Sequence, residues 1–145
     1  DINGSVNTSG NGTTDISGNS TNGSGVIVDP NGSINTTDNG TTNISGNSTN
    51  GDGTDINGSV NTSGNGSTNI SGDSTNGSGV VDNGSINTWG NGSTYIDGNS
   101  TNGSGVIVDP NGSINTTDNG TTNISGNSTN GDGTDINGSI NTSGN

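Results

Sequence analysis

Asn-Gly-Ser followed by Val or Ile begins at Asn3, Asn31, Asn57, Asn83, Asn111 and Asn137, at spacings of 28, 26, 26, 28 and 26 residues. A register kept this strictly over 145 residues constrains the fold more than any other feature, because self-similarity at a fixed period is the signature of a repeat architecture. A longer period lies on top of it. Residues 19–59 are identical to residues 99–139, so three units make an 80-residue super-repeat. The chain reads as one repeat array over residues 1–145, with coil starts at 3, 31, 57, 83, 111 and 137. The repeat runs through both ends of the sequence, so a segment of a longer polymer is expected.

From each starting Asn the unit reads N-G-S-[VI]-N-T-x-[GD]-N-G-[TS]-T-x-I-[SD]-G-[ND]-S-T-N-G-[SD]-G. Its length is constant up to the final Gly, at positions 25, 53, 79, 105 and 133, and all variation follows it. Three Asn-Gly pairs punctuate the unit, and short β-prone pieces such as "SINT", "TTNIS" and "VIV" separate them. Asn and Gly both tolerate the left-handed backbone that tight corners require. Three corners and three short strands per turn predict a three-sided parallel β-solenoid, with equivalent residues stacked about 4.8 Å apart. The alternative is a stack of antiparallel hairpins, since Asn-Gly between β-formers is also the strongest hairpin signal. Hairpins give no reason to hold a register of about 27 residues; stacking does.

The solenoid predicts its own core. One inward file is Val6, Ile34, Val60, Ile86, Ile114 and Ile140, and a second is Ile16, Ile44, Ile70, Ile96 and Ile124. The third side is mixed, with Val26, Thr54, Val80, Val106 and Thr134. Alternation adds Thr8, Thr36, Thr62, Thr88 and Thr116 to the first side, and Thr14, Thr42, Thr68, Thr94 and Thr122 to the second. A thin core of Ile, Val and Thr methyls is needed, because only 17% of the residues are apolar. By composition alone such a chain belongs with disordered segments.

Composition also excludes functions. The chain has 13 Asp and no Glu, Lys, Arg or His, for a net charge of −13, so it repels nucleic acid and anionic membrane surfaces. Its longest apolar run, Val26–Val28, is far too short to span a bilayer. Without His, Cys, Lys or Glu no His-based triad or activated nucleophile can be assembled, so no enzyme is expected and no cofactor is required.

Asp1, Asp29, Asp55, Asp82, Asp109 and Asp135 each precede a coil-starting Asn by one or two residues, which predicts an acidic column along one corner. Carboxylates at that spacing repel by about 1 kcal/mol per neighbour in water. Calcium, a hard cation with a preference for carboxylate and carbonyl oxygen, would relieve the repulsion. Solvated corner residues that keep a fibre soluble are the competing reading. Sequons at Asn7, Asn11, Asn35, Asn43 and Asn47 are candidate glycosylation positions, though a chain this rich in Asn, Ser and Thr generates them freely. Trp89 and Tyr95, the only aromatics, fall in one coil at places that are polar in the others, which suits a contact or sugar-stacking spot or tolerated surface variation. An ice-binding file would have to run through Thr13, Thr41 and Thr121, but Ser67 and Ser93 interrupt it.

In composition and coil length the whole chain resembles the Asn/Gly/Thr-rich β-solenoid repeats of extracellular adhesins and surface filaments. The resemblance implies a structural or adhesive role outside the cell: an end-to-end homopolymer that forms a hydrated scaffold, with glycans or a cell surface as further partners. The alternative is a ligand-binding solenoid for ice, calcium or glycan.

Overall fold

The computed structural model describes residues 1–144. It contains strands and turns and no helix. The first coil holds β1 (Ser5–Thr8), β2 (Thr13–Ser20) and β3 (Val26–Val28); the second holds β4 (Ser33–Thr36), β5 (Thr41–Ser48) and β6 (Thr54–Ile56). β7 (Ser59–Thr62), β8 (Ser67–Ser74) and β9 (Val80–Asp82) follow, then β10 (Ser85–Thr88), β11 (Ser93–Ser100) and β12 (Val106–Val108). The last coil is β13 (Ser113–Thr117), β14 (Thr121–Ser128) and β15 (Thr134–Ile136), and β16 (Ser139–Ser143) opens the next level. Strands of one kind pair in parallel, coil on coil, into three sheets. The first is β1-β4-β7-β10-β13-β16, the second runs from β2 to β14 and the third from β3 to β15. The result is a parallel β-solenoid of about five turns. Parallel register at separations of 26 or 28 residues, as in Ile34↔Val60 and Val6↔Ile34, rules out hairpins.

The inward files follow the alternation of the sequence. Ile34, Val60, Ile86 and Ile114 are buried on the first side, and Ile44, Ile70 and Ile96 on the second. Val26, Thr54, Val80 and Val106 are buried on the third, as expected. The buried Thr residues pair across the corner between the first two sheets: Thr8–Thr14, Thr36–Thr42, Thr62–Thr68 and Thr88–Thr94 lie 2.5–2.6 Å apart, hydroxyl to hydroxyl. Each pair satisfies its polar atoms and leaves the methyls to pack, so Thr serves as core.

The second side is longer than expected. Its strands continue past "TTNIS" through Gly-Asn-Ser, because Gly46 and its equivalents turn inward against the chain of the third side. A Cβ on Gly46 would lie 1.9 Å from the Gly53 carbonyl oxygen. The corner after the first side needs a left-handed residue, supplied by Gly10, Gly64 and Gly90 and, at φ near 60°, by Asp38 and Asp118. These two Asp offset the strain by accepting a hydrogen bond at 3.2 Å from the backbone N–H of Gly10 and Gly90 in the coil before.

Candidate functional site

The third side carries the chemistry that the acidic pattern pointed to, in a different arrangement. Its register runs forward from the invariant Gly: Val28↔Ile56, Ile56↔Asp82, Asp82↔Val108 and Val108↔Ile136. Asp82 therefore occupies a core position and is 1% exposed. Asp55 and Asp135 face outward, in file with Ile27, Val81 and Ile107. Asp1 precedes Ile2, which bridges to Val28, and so stands at the level of Ile27. Asp29 and Asp109 sit in neither file. They open the turns Asp29-Pro30-Asn31-Gly32 and Asp109-Pro110-Asn111-Gly112, in which the Gly N–H donates to the Asp carbonyl at 2.7 Å.

The six residues expected to form one acidic column are thus divided among a corner, an outward file and the core. Two sequence differences are the cause: the Asp-Pro insertion carries Asp29 and Asp109 beyond the strand, and Asp82 stands one residue before its coil's starting Asn where the other five stand two before, a single step that reverses the face. Among the described residues, no three carboxylates come together closely enough to hold one metal ion.

Asp82 is the anomaly of the molecule. Its Oδ1 accepts a hydrogen bond from the Gly84 backbone N–H at 3.1 Å, and its Oδ2 is buried without a partner. Burial raises its pKa to about 7, with a further upward contribution from Asp109 and an opposing one from the Gly84 N–H. Asp55 is also raised, by burial first and then by Asp52, Asp109 and Asp29, against a hydrogen bond from Asn57.

The outward faces are built on amide ladders. On the first sheet Asn35 donates from Nδ2 to Oδ1 of Asn7, and Asn61, Asn87, Asn115 and Asn141 continue the chain, every bond at 2.9 Å. A corner ladder climbs from Asn22 through Asn50, Asn76 and Asn102 to Asn130. All run one way, each coil donating to the one before. The sequon residues lie within such ladders: Nδ2 of Asn35, Asn43 and Asn47 donates across coils, whereas Asn7 and Asn11 in the first coil only accept. A glycan on the inner members has to leave one N–H free for the ladder.

Tyr95 is 44% exposed and takes the place of an Asn on the second sheet, between Asn69 and Asn123. Trp89, 40% exposed, stands at the edge of the first sheet, where the other coils have Ser or Thr. Thr88 and Thr94, the inward residues beside them, meet across the corner between the first two sheets, so Trp89 and Tyr95 flank that corner. Outward Thr13, Thr41 and Thr121 share a file with Ser67 and Ser93.

No family model, curated protein or solved structure matches the chain. The geometry of the coils carries the functional reading.

Proposed function

We propose that the chain is a structural, non-catalytic β-solenoid that extends by addition of coils into a hydrated extracellular scaffold, a filament or an adhesin stalk. The observation that carries this reading is the unbroken coil-on-coil register, in which three parallel sheets repeat level upon level. The Asn ladders run one way, each coil donating to the one before, so a coil added in the same register continues them. A coil added at the last level would also cover Ile136 and Ile140, which are 46% and 39% exposed. The outward carboxylates of the second and third sides, in a chain with no Lys, Arg or His, keep those sides hydrated and mutually repellent, as an extracellular scaffold requires.

Electron microscopy over a concentration series tests this reading. The expected result is filaments with a repeat of about 4.8 Å along the axis, intact in EDTA and without thermal hysteresis. A monomer at every concentration, in wild type and in Ile140→Asp alike, overturns end-to-end growth by this chain. Melting on chelation would favour calcium as a structural ligand, and ice shaping would favour the binding reading.

A further inference from the structure

We infer that the outer face of the first sheet is a lateral docking surface for a second copy of this chain, side against side. Every other side of the solenoid bears charge. Asp15, Asp73 and Asp97 stand on the outer face of the second sheet, and Asp55 and Asp135 on that of the third. The first sheet shows two uninterrupted outward files, Ser (Ser5, Ser33 and onward) and Asn (Asn7, Asn35 and onward), and no carboxylate. In a chain of net charge −13 with no Lys, Arg or His, a copy of itself is repelled by the other two sides and admitted by this one.

The rim follows the same logic. Asp29, Asp109, Asp38 and Asp118 occupy corners beside this sheet. At the levels of β7 and β10 the corresponding corner residues are Asn57, Gly64, Asn83 and Gly90. The charge-free patch is therefore the middle of the face, and Trp89 stands at its edge on the β10 level.

Burial of this face costs less desolvation than an unpaired polar surface would, because its Asn side chains already bond one another. The Asn ladder is continuous at 2.9 Å, and the Ser file is paired in part, Ser5 with Ser33 at 3.0 Å and Ser59 with Ser85 at 3.5 Å. Short, laddered Asn and Ser side chains are the material of dry sheet-to-sheet contacts. Two copies also share one axial repeat, so a contact made at one level recurs at the next.

Area sets the strength. Six strands about 4.8 Å apart, each about four residues of about 3.3 Å, give a face of roughly 400 Å². That is about half of the roughly 800 Å² per partner in a standard stable interface. Each further coil adds roughly 60 Å², so this chain pairs weakly and a scaffold of about a dozen coils bundles firmly. Elongation therefore strengthens lateral association without being required for it.

The test is a concentration series of the 145-residue chain, from about 10 µM to about 2 mM, in about 0.5 M salt to screen the rim charges. It is read by backbone and Asn side-chain NMR shifts and by the emission of Trp89, the single tryptophan. The expected result is concentration-dependent shifts confined to β4, β7, β10 and β13, with a blue shift of Trp89. Ser59→Asp, which places like charges face to face, abolishes them, and Ser45→Asp on the second sheet leaves them unchanged. Ser85→Asp repeats the test at the next level, and the unshifted spectrum of each variant at low concentration confirms its fold. No shift up to 2 mM, shifts centred on the second or third sheet, or equal loss in Ser45→Asp each overturn the proposal. It is independent of end-to-end growth, which Ile140→Asp reports on separately.

Discussion

Replacing Asp82 by Val should stabilise this protein at neutral pH and remove most of its pH dependence between about 4 and 7. The carboxyl lies among Ile56, Val108 and Val80, is 1% exposed, and has an oxygen without a partner. Unfolded, it ionises at its ordinary value of 3.8; folded, it holds its proton to about 7. Between those values the folded state binds the extra proton, so stability is fully present below pH 3.8 and is lost as pH rises through 7. Above 7 both states are ionised and the loss is complete. A difference of about three pH units corresponds to about 4 kcal/mol, a large share of the 5–15 kcal/mol typical of a domain. Asp55, whose pKa burial also raises, adds a dependence of the same sign that Asp82→Val leaves in place. Urea unfolding followed by circular dichroism at pH 4, 5.5, 7 and 8 resolves the two. Wild type should lose several kcal/mol from pH 4 to pH 8, and Asp82→Val should lose far less and exceed wild type at pH 8. If Asp82→Val unfolds at the same or lower urea than wild type at pH 8, or keeps the full slope, the core placement of Asp82 is wrong.

Three further outcomes follow from the packing. Gly46→Ala should destabilise by about 3 kcal/mol or abolish folding, because its Cβ meets a backbone oxygen at 1.9 Å, whereas Gly4→Ala, with nothing within 4 Å, should be neutral; thermal melts separate them. Thr88→Val should cost about 1–3 kcal/mol by leaving the buried Thr94 hydroxyl unpaired, and the double replacement with Thr94→Val should recover much of it in a denaturant double-mutant cycle. Asn61→Asp removes the donor to Asn35 but keeps the acceptor for Asn87, so it should cost about 1 kcal/mol at pH 7 and less at pH 3, where the acid can donate.

The fold was legible because its evidence is periodic. Ile34 over Val60 and Thr36 over Thr62 need only the coil length and the period-2 alternation, and both are written in the sequence. Asp82 was not legible by the same route. It lies one residue before its coil's starting Asn where the other five lie two before, a single step that reverses the face, and a carboxylate in a core contradicts the ordinary preference that assigned it to solvent. The inward glycines were missed for a related reason: Gly46 has no side chain to mark a face, and only the approach of Gly53 reveals its direction. Asp38 and Asp118 were legible as interruptions of a Gly file, but their carboxylate-to-backbone bonds depend on the coil below. The neutral first face was present in the sequence as an unbroken run of Ser and Asn, and it became a surface only once every Asp had been assigned a side.

The stacking of coils is the central claim, and distances between spin labels along one file test it most directly. Ser17, Ser45, Ser71 and Ser125 share an outward file on the second sheet, one level apart except for Asp97 between the last two. Labels on Ser71→Cys with Ser125→Cys, Ser45→Cys with Ser125→Cys, and Ser17→Cys with Ser125→Cys span two, three and four levels. Pulsed electron paramagnetic resonance should give distances that rise by about 4.8 Å per level. Distances that do not rise with the number of coils, or that shorten for the most separated pair, would contradict the solenoid.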